Sequence, residues 1–231
     1  MSNEEQIAYW NGEAGERWAL ADAMMARLLE PVALALLEHA QVGDCRAALD
    51  VGCGGGSQSL LLAAALGPDA SVTGADISAP LLEVARNRQA GPECAPVQFL
   101  QADAASHEFP ADSFDLLFSR FGVMFFDDPS GAFGNLHRAM QPGGKLAFCC
   151  WQPLQANEWV RLPLGAALAH LPPPPAPEPD APGPFAFADP ERVRSVLSGA
   201  GFSEIELHSH QPRLRFGESG SLLESARELA P

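Results

Sequence analysis

The chain has 231 residues, 47% of them apolar, which is enough for one α/β unit with an insertion and too many for global disorder. Its 14 Lys and Arg against 29 Asp and Glu leave a formal net charge of −15, so a nucleic-acid backbone or an anionic membrane is repelled unless a basic patch intervenes. Lys145 is the only lysine and the arginines are scattered, so a small-molecule partner is expected, with no nucleic acid.

Five cysteines, Cys45, Cys53, Cys94, Cys149 and Cys150, are an odd number without CxxC spacing, which argues against a disulfide framework or a zinc site. No apolar run approaches the ~20 residues of a membrane span, and the acidic start lacks the features of a signal peptide. A cytoplasmic location is the resulting expectation.

Residues 4–41 read as helices: a short one over 4–10 ended by Asn11-Gly12, a second over about 14–30, and a third opened by Pro31 and ended by Gly43. Strands and helices then alternate. Strands fall at 47–51, 71–75, 97–101, 114–119 and 146–151, with Asp76 and Asp103 just past the second and third. Between them lie a glycine turn (52–56), a Leu- and Ala-rich helix (57–66), a helix opened by Ser78 and Pro80 and running to about Gln89, and a helix over 129–140 stopped by Pro142-Gly143-Gly144. Such alternation implies right-handed crossovers and a parallel sheet covered on both faces, with binding at the C-terminal ends of the strands. Residues 172–184 hold eight prolines and must be extended loop. Asp189-Pro190-Glu191 opens another helix ended by Gly201, 204–210 alternates like a strand, and one weak helical segment lies in the last 15 residues.

Glycines at 52, 54, 55 and 56 remove side chains where the backbone turns sharply toward a ligand. Alone this loop serves NAD, a phosphate or an adenosyl group equally. It is not a P-loop, since no Gly-Lys-Ser/Thr follows, and Ser57 stands at the third glycine position of the dinucleotide fingerprint. The carboxylates sharpen the reading. Asp50, Asp76 and Asp103 each close a strand on one sheet edge. Asp76 suits two ribose hydroxyls, Asp103 an exocyclic amine, and Asp50 a positive group. This acidic rim favours a cationic adenosine ligand over a pyrophosphate.

The runs Leu49-Asp50-Val51-Gly52-Cys53-Gly54-Gly55-Gly56, Gly74-Ala75-Asp76-Ile77-Ser78, Gln101-Ala102-Asp103, Phe114-Asp115 and Pro142-Gly143-Gly144-Lys145-Leu146 resemble, in this order, the motifs of class I S-adenosylmethionine-dependent methyltransferases. The likeness is to the group related to ubiquinone/menaquinone C-methyltransferases, and it covers about residues 9–210. It implies an α/β, Rossmann-like three-layer sandwich with a mainly parallel sheet of seven strands and an N-terminal helical lid. It implies a lid at 1–43, a cofactor-binding core at 44–151, a Pro-rich substrate-side insertion at 152–188, and a C-terminal helix and strand at 189–231. The cofactor would be S-adenosylmethionine, with S-adenosylhomocysteine as product, held by Trp10, Asp50, Gly52, Cys53, Gly54, Asp76, Ile77, Asp103, Ala104 and Ser119. Arg120, Phe121, Met124 and Trp151 would face the acceptor. Similar enzymes carry a further strand beside the fifth. Either the stretch Arg213-Leu214-Arg215-Phe216 supplies it, or it is missing and leaves an edge open to dimerisation, so a homodimer stays open.

Several residues carry blander readings. Asp115 reads as structural, Asp127-Asp128 as helix caps rather than a metal site, and His107 and His137 as surface or core. No catalytic base stands out, which in-line methyl transfer tolerates because alignment and desolvation do most of the work. An NAD-linked oxidoreductase and a non-catalytic protein of the same fold remain as alternatives.

Overall fold

The computed structural model describes residues 2–173 and 181–214. Helix α1 (Asn3–Asn11) and helix α2 (Glu13–Ala40) precede five strands, β1 (Ala47–Val51), β2 (Ser71–Asp76), β3 (Val97–Gln101), β4 (Phe114–Arg120) and β5 (Met140–Cys149). Helices α3 (Ser57–Leu66), α4 (Ala79–Arg86) and α5 (Pro129–Ala139) connect them, and α6 (Glu158–Ala167) and α7 (Pro190–Gly199) follow. All neighbouring strands are parallel, in the order β3-β2-β1-β4-β5. The sheet direction of growth reverses between β1 and β4, and the crevice at that reversal is where α/β sheets bind ligands.

Alternate residues of the central strands enter two separate cores, as a period of two dictates. Leu49 and Leu117 pack with Phe133 and Leu136 of α5 and with Val193 and Leu197 of α7. Ala48, Leu116 and Phe118 pack with Leu36 of α2 and with Leu62 and Leu66 of α3 on the other face. Burial on both faces is why the middles of β1 and β4, Ala48-Leu49 and Leu116-Leu117-Phe118, are apolar on consecutive residues.

Three expectations are corrected. The second and third N-terminal helices are one, because α2 runs through Pro31. Pro31 leaves the Arg27 carbonyl without its helical donor, but both residues are exposed and lie outside the buried stripe of α2, so the unpaired carbonyl carries no burial penalty. Strand β5 begins at Met140, since Met140 pairs with Phe114 and the ladder resumes only at Lys145 opposite Leu116. The Pro142-Gly143-Gly144 run is therefore a bulge within the strand rather than a gap before it. Residues 204–210 form no strand: the run starts at the left-handed Glu204 (φ 53°) and pairs with no strand of the described sheet. The sheet accordingly has five strands among the described residues, not seven, and β5 pairs there only with β4. A groove of ≈ 2890 Å³ runs along its other edge, between Leu36 of α2 and Leu197 of α7. Most of the proline run, Arg215-Phe216 and the weak C-terminal helix lie outside the described residues. No helix among those described is long and apolar enough to cross a membrane.

Candidate active site

The glycine loop leaves the tip of β1 and is pinned to β2 by two amides, Gly52 and Cys53, which donate to the Ala75 carbonyl at 2.9 and 3.2 Å. Gly52 is left-handed (φ 69°), and a Cβ there would stand 2.6 Å from the Gly122 Cα, so only glycine lets this loop pass the turn after β4. Gly54 is left-handed as well (φ 54°), but nothing lies within 4 Å of its missing Cβ. The loop therefore has one face pressed against protein and one face with room for a ligand.

Asp76 organises that face. Its Oδ2 accepts the Gly54 N–H at 2.8 Å and its Oδ1 the Ser78 N–H at 2.8 Å. Each carboxylate oxygen has a further lone pair. Burial pushes its pKa up, against the opposing effect of the backbone amides. Asp50 is wholly enclosed. Ser59 Oγ donates to its Oδ2 at 2.6 Å and Gln58 Nε2 to its Oδ1 at 3.2 Å, so it joins β1 to the first turn of α3. Desolvation raises it to about 6, opposed by Ser59, Arg120 and Gln58. Asp50 thus lies enclosed beneath the loop, without the surface that the expected ligand contact needs. Beside it, Gln58 Oε1 is buried without a hydrogen-bond partner.

Asp103 accepts from Ala105 N at 3.0 Å, from Ser106 Oγ at 2.5 Å and from Asn3 Nδ2 at 2.8 Å, and Ala104 beside it is buried. The Ile77 carbonyl accepts from Asn11 Nδ2 at 3.0 Å. Trp10 packs edge-on against Phe125, with ring centroids 5.5 Å apart. Ser119 is buried, and its hydroxyl is engaged at 2.7 Å with the Val51 carbonyl, tying β4 to β1. Cys53 is buried with its thiol against Gly74, and desolvation raises its pKa further.

Past β4 the backbone turns through Phe121, which is left-handed (φ 68°) although it carries a bulky side chain. Such strain of order 1–3 kcal/mol persists only where the surroundings enforce it, and it is common at functional sites. Here the Phe121 N–H is held by the Cys149 carbonyl, and its ring stacks on Trp151 at 4.2 Å and 11°. Trp151 in turn meets Trp159 of α6 at 5.0 Å. Arg120 donates to the Leu29 carbonyl at 3.4 Å, and burial lowers its pKa while Asp50, Cys149 and Asp22 oppose that shift. Met124 is only 2% exposed, so it belongs to the core beneath this turn and does not line it.

The structure adds residues that the sequence did not single out. Asp22 of α2 lies over Gly55, where a Cβ would collide with its carboxylate, and pairs with Arg88, which also donates to the Gly55 carbonyl at 2.6 Å. Asn3 and Asn11 fasten α1 to the strand tips. Asp115 is structural, accepting from the Arg46 and Ala47 amides, and Asp128 caps α5 through Gly131 N.

Residues 49–148 match the family model described as a methyltransferase domain. A demethylmenaquinone methyltransferase of Thermus thermophilus is 39% identical over 105 residues, 46% of this chain and 47% of that one. A nocamycin O-methyltransferase of Saccharothrix syringae is 30% identical over 196 residues, 81% of this chain and 70% of that one. The matched region thus spans about half the length of the demethylmenaquinone methyltransferases. Among solved structures, a putative S-adenosyl-L-methionine-dependent methyltransferase of Methanococcus maripaludis superposes with a TM-score of 0.57 at 22% identity, covering 84% of this chain and 86% of that one. Phosphoethanolamine N-methyltransferase 2 of Haemonchus contortus, in complex with S-adenosyl-L-methionine, gives 0.54 at 23%, covering 76% and 37%. At these identities the superpositions establish the fold.

Proposed function

We propose that this chain, which belongs to the class I S-adenosylmethionine-dependent methyltransferase family, transfers a methyl group from that donor to a small-molecule acceptor. The carrying observation is the pair of carboxylates at the strand tips, Asp50 enclosed beneath the loop and Asp76 half-buried on its open face. Desolvation penalises the charged forms of Asp50 and Asp76, and a cationic ligand beside them offsets part of that penalty. The open face at Gly54 and the unpartnered Gln58 Oε1 fit the same ligand.

When bound, the donor supplies a methyl group on a sulfonium whose leaving group is neutral. The protein's part is to align and to exclude water. Asp76 would take the ribose hydroxyls, Ile77 one adenine face, and Asp103 with Ala104 the adenine edge. Gly52 and Gly54 would let the backbone approach, while Cys53 and Ser119 hold the loop from behind. Trp10 would cover the site from the lid at 1–43. Arg120, Phe121 and Trp151 would face the acceptor, with the Pro-rich segment at 152–188 on the same side. The core at 44–151 and the C-terminal part at 189–231 would complete the enzyme.

The named acceptors of the relatives, demethylmenaquinone, nocamycin and phosphoethanolamine, support a small acceptor, and the net charge of −15 weighs against a nucleic acid. The reading also takes the protein to be cytoplasmic, and the edge of β5 suits a homodimer. Calorimetric titration with S-adenosylhomocysteine and NADH tests the donor: binding of the first and not the second is expected, and the reverse would overturn the reading.

A further inference from the structure

We propose that Asn11 is the clasp that closes the N-terminal helices over the donor site. It is a positioning residue, away from the reacting atoms, and the proposal rests on the donor reading above. Asn11 ends α1. Its Nδ2 donates to the Ile77 carbonyl at 3.0 Å and to the Ile7 carbonyl at 2.8 Å, while its Oδ1 accepts the Ala79 N–H at 2.9 Å. One amide thus reads both a donor and an acceptor of a single backbone turn, which neither a hydroxyl nor a carboxylate matches as well. Ser78, between the two contacts, is fully buried and donates its Oγ to the Trp10 carbonyl at 2.7 Å. The first turn of α2 presses on the same corner: a Cβ at Gly15 would lie 1.9 Å from the Trp10 carbonyl oxygen. Residues 10–11 and 77–79 therefore form one hydrogen-bonded unit.

The gripped turn is the one that orients Asp76, because the Ser78 N–H donates to Asp76 Oδ1. Lifting the helix corner breaks three hydrogen bonds to this turn and loosens the carboxylate that faces Gly54. Lid opening and relaxation of the donor site are then one motion, and release of a bound donor or product waits for it. Asn3 fastens the other end of α1 to Asp103, but Asp103 keeps two other donors, Ala105 and Ser106, when that contact is lost. The corner at Asn11 is thus the point where lid position and site geometry are coupled.

The test uses Asn11→Ala in the full chain. Two lost inter-element hydrogen bonds correspond to about a ten-fold effect. S-adenosylhomocysteine should dissociate about ten-fold faster, read by stopped-flow tryptophan fluorescence, with association within about two-fold of wild type. In the free protein, amides of residues 3–18 should exchange with deuterium about ten-fold faster through local opening, still well ahead of those of β1. Exchange of residues 3–18 only in step with β1, through one global opening, would make Asn11 a general stability residue and overturn the proposal. So would unchanged release and unchanged exchange of α1. If the wild type binds no S-adenosylhomocysteine, the donor reading fails, and the exchange measurement alone then decides whether Asn11 holds the helix.

Discussion

Replacing Asp50 with asparagine should make the ligand-free protein more stable and the donor site weaker. In the folded chain Asp50 is raised from 3.8 to about 6. Between those values the folded state holds a proton that the unfolded chain has released, so stability falls as pH rises through the window. Below 3.8 both states are protonated and the penalty vanishes. Above about 6 it is complete, ~3 kcal/mol at ~1.4 kcal/mol per pH unit. The change Asp50→Asn keeps the shape of the side chain, so no cavity opens. Its new carbonyl can accept from Ser59 Oγ, and its new amide can donate to Gln58 once that side chain turns its unpartnered Oε1 inward. Urea unfolding of both proteins should show Asp50→Asn more stable by up to ~3 kcal/mol near pH 7.5, shrinking to ~1 kcal/mol near pH 4.5. Affinity for S-adenosylhomocysteine should fall about five-fold, because a buried negative charge behind the loop is gone. A stability difference that does not change with pH, or a variant that is less stable at both values, would refute the reasoning.

Three further outcomes follow from the same geometry. Asp76→Ala frees the Gly54 and Ser78 amides and removes the acceptor facing the ligand. Calorimetry should show at least about a hundred-fold loss of S-adenosylhomocysteine affinity, and a loss under about five-fold would remove Asp76 from the site. Gly55→Ala forces a Cβ into the Asp22 carboxylate and should cost about 2 kcal/mol in thermal denaturation, with part of that recovered when Asp22→Ala is added; strict additivity would show that the collision is not the cause. Trp151→Ala removes the ring on which Phe121 stacks. Acceptor KM should rise about ten-fold with donor affinity unchanged, and an equal loss of donor affinity would place the aromatic stack elsewhere in the mechanism.

The sequence was most legible where local chemistry settles the structure. Helix α3 begins at Ser57 because Gly56 is left-handed and ends at Gly67; Ser78 and Asp128 cap α4 and α5 through their own side chains. Signals that depend on distant surroundings were not legible. Pro31 reads as a boundary until its exposure on α2 is known. The period-two run at 204–210 needs a neighbouring strand to become one, and the described sheet offers none that it reaches. In the site, the loop and its carboxylates were visible because they recur at strand ends. Asn11 and Asp22 were not, since each acts on a partner 66 residues away and asparagine before glycine reads simply as a helix stop.

The reversal of strand order between β1 and β4 also separates two inheritances. The residues proposed for the donor, through Asp103, belong to β1, β2 and β3 and their loops, whereas Arg120, Phe121 and Trp151, proposed for the acceptor, belong to β4 and the chain beyond it. The two groups meet across one seam, closed by the Ser119 hydroxyl on the Val51 carbonyl and by the close passage of Gly52 and Gly122. A chimera cut in the loop between β3 and β4, with that seam retained, should carry its acceptor preference with the second half alone. On the proposed roles, substitutions beyond the seam would change the acceptor pocket while the glycine loop and Asp76 keep their geometry.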